Sequence, residues 1–329
     1  MNQDFISVII PVYNEEKFIV NCIESLLLQD YPKECMEWIF VDGRSVDKTR
    51  ELIGSYILKY PDMIKLLDNQ KQIVPCAMNI GINEAKGKYI IRLDAHADYS
   101  KDYISKCVYT LQTTNADNVG GIAETKSSSF VGSVIAKMLS SRFGVGNSDF
   151  RTNGKSGYVD TVPFGAFPRE VFEKWGGYDE RLVRNQDNEM NYRIRKNHGR
   201  IYLSSDIRLS YYCRDSIQGI ADMAKKNGIW NVITMKMCPG SMGIRHFVPF
   251  CFLLSLIIMP ILGLRFSIFG WLFGIEVLLY ILLDLFFSIK QGDNLKEFLL
   301  LIVLFPIFHI TYGYGSLCGL LKLILNNYK

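Results

Sequence analysis

The chain has 329 residues, with 37 Lys and Arg against 33 Asp and Glu and a formal net charge of +4. That modest balance, with no block of five or more like charges, does not suggest a nucleic-acid partner, and none is expected. Hydrophobic residues make up 49% and mean hydropathy is positive, which is high for a wholly soluble protein.

The apolar excess is uneven: residues 1–246 are mixed, whereas 247–325 are dominated by Leu, Ile and Phe. A soluble part followed by a membrane part is expected. The eight cysteines (22, 35, 76, 107, 213, 238, 251 and 318) form no C-x-x-C pair and read as reduced, mostly buried thiols in a cytosolic setting. The opening MNQDFISVIIPVY lacks a basic leader, and its apolar run is too short for a signal peptide. The N-terminal part is therefore expected in the cytoplasm.

Ser7 to Val12 (SVIIPV) is a short β-rich apolar run, the pattern of a strand covered on both faces. Asn14-Glu15-Glu16 follows as an N-cap with acids in a first helical turn, and Phe18, Cys22, Ile23 and Leu26 recur at helical spacing. Trp38 to Val41 predicts a second buried strand ending at Asp42, residues 47–59 a helix, and Ile64 to Leu67 a third strand. Residues 75–86 predict another helix, broken at Gly87, before a strand over 89–93 that ends at Asp94. Strands alternating with helices imply a parallel, doubly wound α/β sheet. Ligands of such sheets sit beyond the carboxyl ends of the strands, where Tyr13, Asp42 and Asp94 fall. A nucleotide or phosphorylated ligand is favoured.

The common nucleotide fingerprints are missing. The first strand leads into PVYNEEK with no glycine, and no G-x-x-x-x-G-K-[ST] occurs, which argues against a dehydrogenase or P-loop ATPase. Without amides to cradle a pyrophosphate, another positive group must neutralise it, and a divalent cation held by Asp94 and His96 would do so. Imidazole is a good ligand for transition metals, so Mn²⁺ is favoured over Mg²⁺. Read from the residues alone, Asp94-Ala95-His96 is equally a polar strand end; Asp98 lies too far along an extended chain to share the first shell.

Four ordered stretches, SVIIPVYNEE, IFVDGRSVDKT, NIGINEAKGKYIIRLDAHADY and VPFGAFPREVFEKWGGYDERLVRNQDNEMNYRI, closely resemble the family-2 glycosyltransferases. The D-A-H and N-Q-D-N-E forms are similar to the succinoglycan-type exopolysaccharide branch, and the resemblance covers roughly residues 5–235. It implies a GT-A fold, an α/β doubly wound mixed sheet, and transfer of a sugar from a nucleotide donor with inversion at the anomeric carbon. Asp94 and His96 then stand where the family has D-x-D, binding metal and donor. Asp42, in D-G-R-S rather than the family's D-D-G-S, is the candidate for reading the base, favouring UDP; a structural cap is the competing view. Pro11, Tyr13 and Glu15 form a first donor loop, with Tyr13 suited to stack on a base.

Asp187, preceded by Gln186 where the family has a first acid, is the candidate base that takes the acceptor hydroxyl's proton. A charged helix start is its bland alternative. Glu189 is expected to position the acceptor, and Phe164, Gly165 and Asp179 of the GGYDE region to line its site. KKNGIW is at best a degenerate Q-x-x-R-W, so processive synthesis is not inferred.

The tail carries three apolar stretches, 247–264, 266–289 and 298–321, read as transmembrane helices. Pro249 and Pro260 leave the first open to an in-plane or re-entrant course. Lys225, Lys226, Lys236 and Arg245 before it place that end in the cytoplasm, and three crossings put Lys322 and Lys329 outside. Glu276 and His309 are candidates to face each other between helices. The expected domains are a cytoplasmic one over 1–235 (5–125 for the nucleotide sugar, 126–235 for the acceptor), a linker over 236–246 and a multi-pass inner-membrane region over 247–325. The leading reading is transfer to a lipid-linked saccharide in extracellular or capsular polysaccharide synthesis. Transfer directly to polyprenyl phosphate, or a non-catalytic nucleotide-binding scaffold of a synthase complex, are the alternatives.

Overall fold

A computed structural model describes residues 3–152 and 154–325; Lys329, assigned outside the membrane above, lies beyond them. The chain opens β1 (Ile6–Val12), α1 (Ile19–Leu27), β2 (Met36–Asp42), α2 (Thr49–Ile57), β3 (Ile64–Asp68), α3 (Val74–Glu84) and β4 (Tyr89–Arg92). It continues β5 (Ala97–Tyr99), α4 (Tyr103–Thr114), β6 (Asn118–Lys126), α5 (Phe130–Leu139), α6 (Arg142–Val145), β7 (Gly157–Tyr158) and β8 (Ala166–Pro168). The last elements are α7 (Glu170–Trp175), α8 (Gln186–Lys196), β9 (Ile201–Tyr212), α9 (Ile217–Met237), α10 (Val248–Gly263), α11 (Ser267–Gln291) and α12 (Leu295–Ile324). They form two compact units, one of residues 1–124 and 153–211, the other of 125–152 and 212–329.

The first unit is a mixed sheet in the order β3-β2-β1-β4-β8-β6-β9-β5, with β7 on β9. β1 to β4 run parallel, while β8 turns antiparallel to β4. β2 is buried along its whole length and β1 nearly so, as strands covered on both faces must be. Register sets Val12 beside Asp42 and Asp42 beside Asp68, so polar residues collect along one edge of the sheet.

One local expectation is corrected. Asn14 does not cap a helix: α1 starts at Ile19, and Asn14 is left-handed at φ 54°. Its N–H donates to Ser45 Oγ (2.8 Å) and its Oδ1 accepts from the Val46 N–H (2.9 Å). The Glu15 N–H donates to Thr49 Oγ1 at 2.7 Å, and the Glu16 N–H to Asp47 Oδ2 at 3.1 Å. Short polar side chains that suit a cap here stitch the loop after β1 to the loop after β2.

The second unit packs α5, α6 and α9 with the three apolar helices, so residues 125–152 and 212–235 go with the tail rather than with the sheet. Val134, Ile135, Met138 and Leu139 of α5 share a core with Ile220 and Ala224 of α9 and Leu301, Leu304, Phe305 and Phe308 of α12. Lys137 joins the start of α12 through Asp293 (2.6 Å) and Glu297. α11 and α12 are long and apolar enough to cross a membrane. α10, at 16 residues, spans about 24 Å at 1.5 Å per residue, short of a bilayer's hydrocarbon.

Glu276 and His309 do not face each other. Glu276 Oε1 accepts from Ser255 Oγ at 2.5 Å. His309 Nδ1 meets Tyr280 OH and Nε2 meets the Phe143 carbonyl, both at 2.9 Å, an arrangement that a neutral ring protonated at Nε2 satisfies.

α9 and α12 approach so closely that a side chain on Gly315 would fall on the backbone of Lys225. Gly315→Val is therefore expected to cost about 1–3 kcal/mol, as overpacking does. A lowered thermal midpoint of the detergent-purified protein is the readout, and an unchanged midpoint would contradict the close crossing.

Candidate active site

The ends of β1 and β2 make one wall. Pro11 is half-buried in the β1 ladder beside Val41, and Tyr13, just past the strand, is 50% exposed. Its ring packs on Gly43, where an added Cβ would stand 3.3 Å from Tyr13 Cδ2. Asp42 is wholly buried. Its carboxylate accepts from Ser45 Oγ (2.5 Å), the Ser45 N–H and Arg50 Nη1 (2.7 Å), and Arg50 also reaches Asp68 at 2.6 Å. These bonds tie Asp42 to the loop and to Arg50, as in the structural-cap view, at the strand end where a base contact is expected.

The second wall is the end of β4. Arg92, a charged residue in an apolar strand, is only 5% exposed. Its backbone N–H donates to the Gly165 carbonyl at 3.0 Å. Its Nε and Nη2 lie 3.3 and 3.2 Å from Asp94 Oδ1, and its Nη1 lies 2.5 Å from Asp187 Oδ1. Burial works against the guanidinium's charge, but Asp187 and Asp94 outweigh it and hold the group ionised. Tyr99 OH clasps the Asp94 backbone, accepting its N–H at 2.7 Å. His96 Nδ1 lies 3.1 Å from Glu15 Oε1, and Tyr211 of β9 presents its ring edge 6.1 Å from the imidazole. Asp98 is exposed on β5, outside this group.

The third wall carries Asp187. It sits in the first turn of α8, where the helix dipole favours a carboxylate, after Asn185 in the left-handed region. Burial pushes its carboxyl above the ordinary aspartate range; Arg92 opposes the shift and Asp94 adds to it. Phe164, buried at φ 47°, places its ring 5.9 Å from the Arg92 guanidinium. A side chain on Gly165 would strike the Phe167 ring at 2.6 Å, so the backbone there must approach bare.

Asp179 forms a two-pronged pair with Arg181, the shorter contact at 2.6 Å. Glu189 is buried and gives both carboxylate oxygens to Arg193, whose Nη1 binds the Trp175 and Gly177 carbonyls at 2.7 and 2.8 Å. Glu189, expected to position the acceptor, thus braces the Gly176-Gly177 turn through Arg193. Asn79 of α3 holds the same turn by bonding both ways to the Tyr178 backbone (2.9 and 2.7 Å).

The structure thus joins Asp94 and Asp187 through Arg92, pairs Glu15 with His96 two residues further on, and sets Tyr13 at the β1 edge. Sequence reasoning missed Arg92, Arg50, Tyr211 and Asn79. A lone arginine inside IIRLD was a visible signal for the first, while the others carried none. A separate cleft of about 420 Å³, lined by Ile122, Gly154, Lys155, Ser156, Ser205 and Arg208, holds none of the expected residues.

Asp94 and His96 offer an oxygen and a nitrogen two residues apart, and Glu15 on the imidazole is the carboxylate–histidine arrangement that orients a metal-binding ring. Among the described residues no group of three or more His, Cys, Asp or Glu makes a metal cage. Asp94 and His96 alone supply two donors, so a cation held there would need its remaining positions filled by a ligand such as a diphosphate.

The sheet and the carboxylates at its edge define a GT-A nucleotide-sugar transferase fold. The chain belongs to glycosyl transferase family 2, whose model matches residues 7–176. It is 31% identical over 328 residues (97% of this chain, 98% of the relative) to the dolichyl N-acetyl-alpha-D-glucosaminyl phosphate 3-beta-D-2,3-diacetamido-2,3-dideoxy-beta-D-glucuronosyltransferase of Methanococcus voltae. It is 32% identical over 209 residues (63% of each chain) to the succinoglycan biosynthesis protein ExoA of Rhizobium meliloti. Among solved structures, the mannosyltransferase PcManGT from Pyrobaculum calidifontis, in complex with GDP-Man and Mn²⁺, shares the fold. Its TM-score is 0.60 at 17% identity, over 99% of this chain and 88% of that one.

Glu180 ties the turn to the loop before α3 through Lys71 (2.6 Å) and Asn79, and Lys71 foremost holds its carboxyl at about 2, below the ordinary 4.5. Its folded pKa is depressed, so its contribution is complete above pH 4.5 and lost as pH falls through about 2. Thermal melts should accordingly show a gap between wild type and Glu180→Gln that is constant above pH 5 and closes toward pH 2. A gap independent of pH would contradict the pairing.

Proposed function

We propose that this protein is a membrane-bound inverting glycosyltransferase that moves a sugar from a nucleotide donor, a UDP-sugar, to a hydroxyl of a lipid-linked saccharide in surface-polysaccharide synthesis. The observation that carries this reading is Asp187: a carboxylate at a helix start, sharing one guanidinium with the donor-side Asp94. The Methanococcus voltae relative is named for a dolichyl-linked sugar phosphate, which favours a lipid-linked saccharide over bare polyprenyl phosphate. α11 and α12 support a membrane anchor, and the basic residues before α10 support a cytoplasmic catalytic unit.

Tyr13 stacks on the base at the β1 edge. Asp187 accepts the proton of the acceptor hydroxyl as its oxygen attacks the anomeric carbon from the face opposite the leaving group, inverting that centre. The bond from the anomeric carbon to the diphosphate oxygen breaks, and its electron pair leaves with the nucleoside diphosphate. Asp94 and His96 would hold a divalent cation, Mn²⁺ favoured over Mg²⁺, which when bound neutralises charge on the leaving diphosphate. Glu15 fixes the imidazole, and Phe164, Gly165 and the Asp179 turn shape the acceptor side.

Because the base must be ionised, kcat/KM should fall as pH drops through the raised pKa of Asp187, above the ordinary aspartate value of 3.8. Asp187→Asn should lower kcat by about 10²–10⁴-fold, the usual worth of a general base, while calorimetric UDP binding survives. NMR of the product should show inverted anomeric configuration. Retained configuration, or a fully active Asp187→Asn, would refute the mechanism, and no binding of UDP would refute the donor.

Glu15→Gln should weaken Mn²⁺ binding, read by electron paramagnetic resonance, by about 10–100-fold, the cost of losing a carboxylate behind a ligating histidine. Unchanged Mn²⁺ affinity would remove His96 from the metal site.

A further inference from the structure

Arg92 belongs to no element of the reaction described so far, yet it is among the most deeply buried charged side chains of the first unit. It lies on a strand, not a loop. β4 pairs with β1 on one side and β8 on the other, and its backbone N–H is bonded to Gly165. The guanidinium is thus delivered from rigid backbone. Its planar fork is divided between two carboxylates from separate elements: Nε and Nη2 to Asp94 after β4, and Nη1 to Asp187 in α8. The Phe164 ring covers it at 5.9 Å. Two acids against one cation leave a net negative charge, so the pairing does not consume both carboxylates' capacity to bind other groups.

Such a group costs several kcal/mol to desolvate and stabilises a fold no better than apolar packing, so stability alone does not account for it. A fork that fixes two carboxylates at once accounts for it fully, because Lys, a single point donor, cannot make that geometry.

We propose that Arg92 is a positioning residue that fixes Asp187 relative to the donor-side strand end, so that the acceptor hydroxyl meets its base only in register with the anomeric carbon. This rests on Asp187 being the base. Positioning errors of about 1 Å cost about 10²-fold in rate, and that is the loss expected in kcat for Arg92→Lys.

The test is a double-mutant cycle on the full-length protein in detergent, with kcat measured at saturating donor so that donor affinity lost through Asp94 drops out. Arg92→Lys, Arg92→Gln, Asp187→Asn and the two double variants are compared. The expected result is that either Arg92 change lowers kcat about 10²-fold alone and adds nothing to Asp187→Asn, with Lys no better than Gln. Full additivity, or rescue by Lys to wild-type kcat, would overturn the positioning role. Melting curves and UDP titration identify variants that fail to fold; if Arg92→Gln does, the Arg92→Lys cycle decides. Asp187→Asn retaining wild-type kcat would instead sink the base assignment itself, a result legible in that single variant.

Discussion

The parallel strands β1, β2 and β3 end level with one another, and most of the first unit follows from that constraint. A strand buried on both faces has no place for a polar side chain except at its ends. Register brings Val12, Asp42 and Asp68 to one edge, and β4 brings Arg92 and Asp94 to its neighbour. The polar groups at these strand ends are thereby collected along one line. Hydrogen bonds across that line, Asn14 to Ser45 and Val46 and Glu15 to Thr49, then make the loops a single surface.

Arg92 is a charge the sheet keeps inside beside its apolar residues, and its environment shows how. Two carboxylates, an aromatic face and the Gly165 carbonyl surround it, so neither its charge nor its backbone is left unsatisfied. Removing one partner of such a buried pair costs about 3–5 kcal/mol in other proteins, because the remaining charge has nowhere to go. A related pair, buried Glu189 with half-buried Arg193, fixes the Gly176-Gly177 turn. Rigidity at both edges of the site comes from ion pairs whose members sit on regular elements.

Much of this was legible in the sequence. β1, β2, β3 and β4 were placed within a residue or two because continuous apolar runs admit few other readings, and Asp94 and Asp187 were recognisable as a strand end and a helix start. What the side chains touch was not legible. Arg92 and Asp187 are 95 residues apart, and no local pattern pairs them. Asn14 was misjudged because a residue that caps a helix also closes a loop. Glu189 and Asp42 look like free acids until the arginines that hold them, Arg193 and Arg50, are placed. Glu276 and His309 were set facing each other on polarity alone, whereas helix register gives them to Ser255 and to Tyr280 and Phe143.

The second unit takes its residues from two places in the chain, and this has a consequence for the order of events during synthesis. The apolar face of α5 leaves the ribosome long before Leu301, Leu304, Phe305 and Phe308 of α12 exist to cover it. At about 5–20 residues per second, the gap of some 160 residues corresponds to roughly 8–32 seconds. For that interval α5 has only α9 of its eventual core partners, and the α12 side of that core stays open. The apolar helices at the end of the chain thus act as the missing half of a core begun in its first half, and cutting them away would leave that core permanently open.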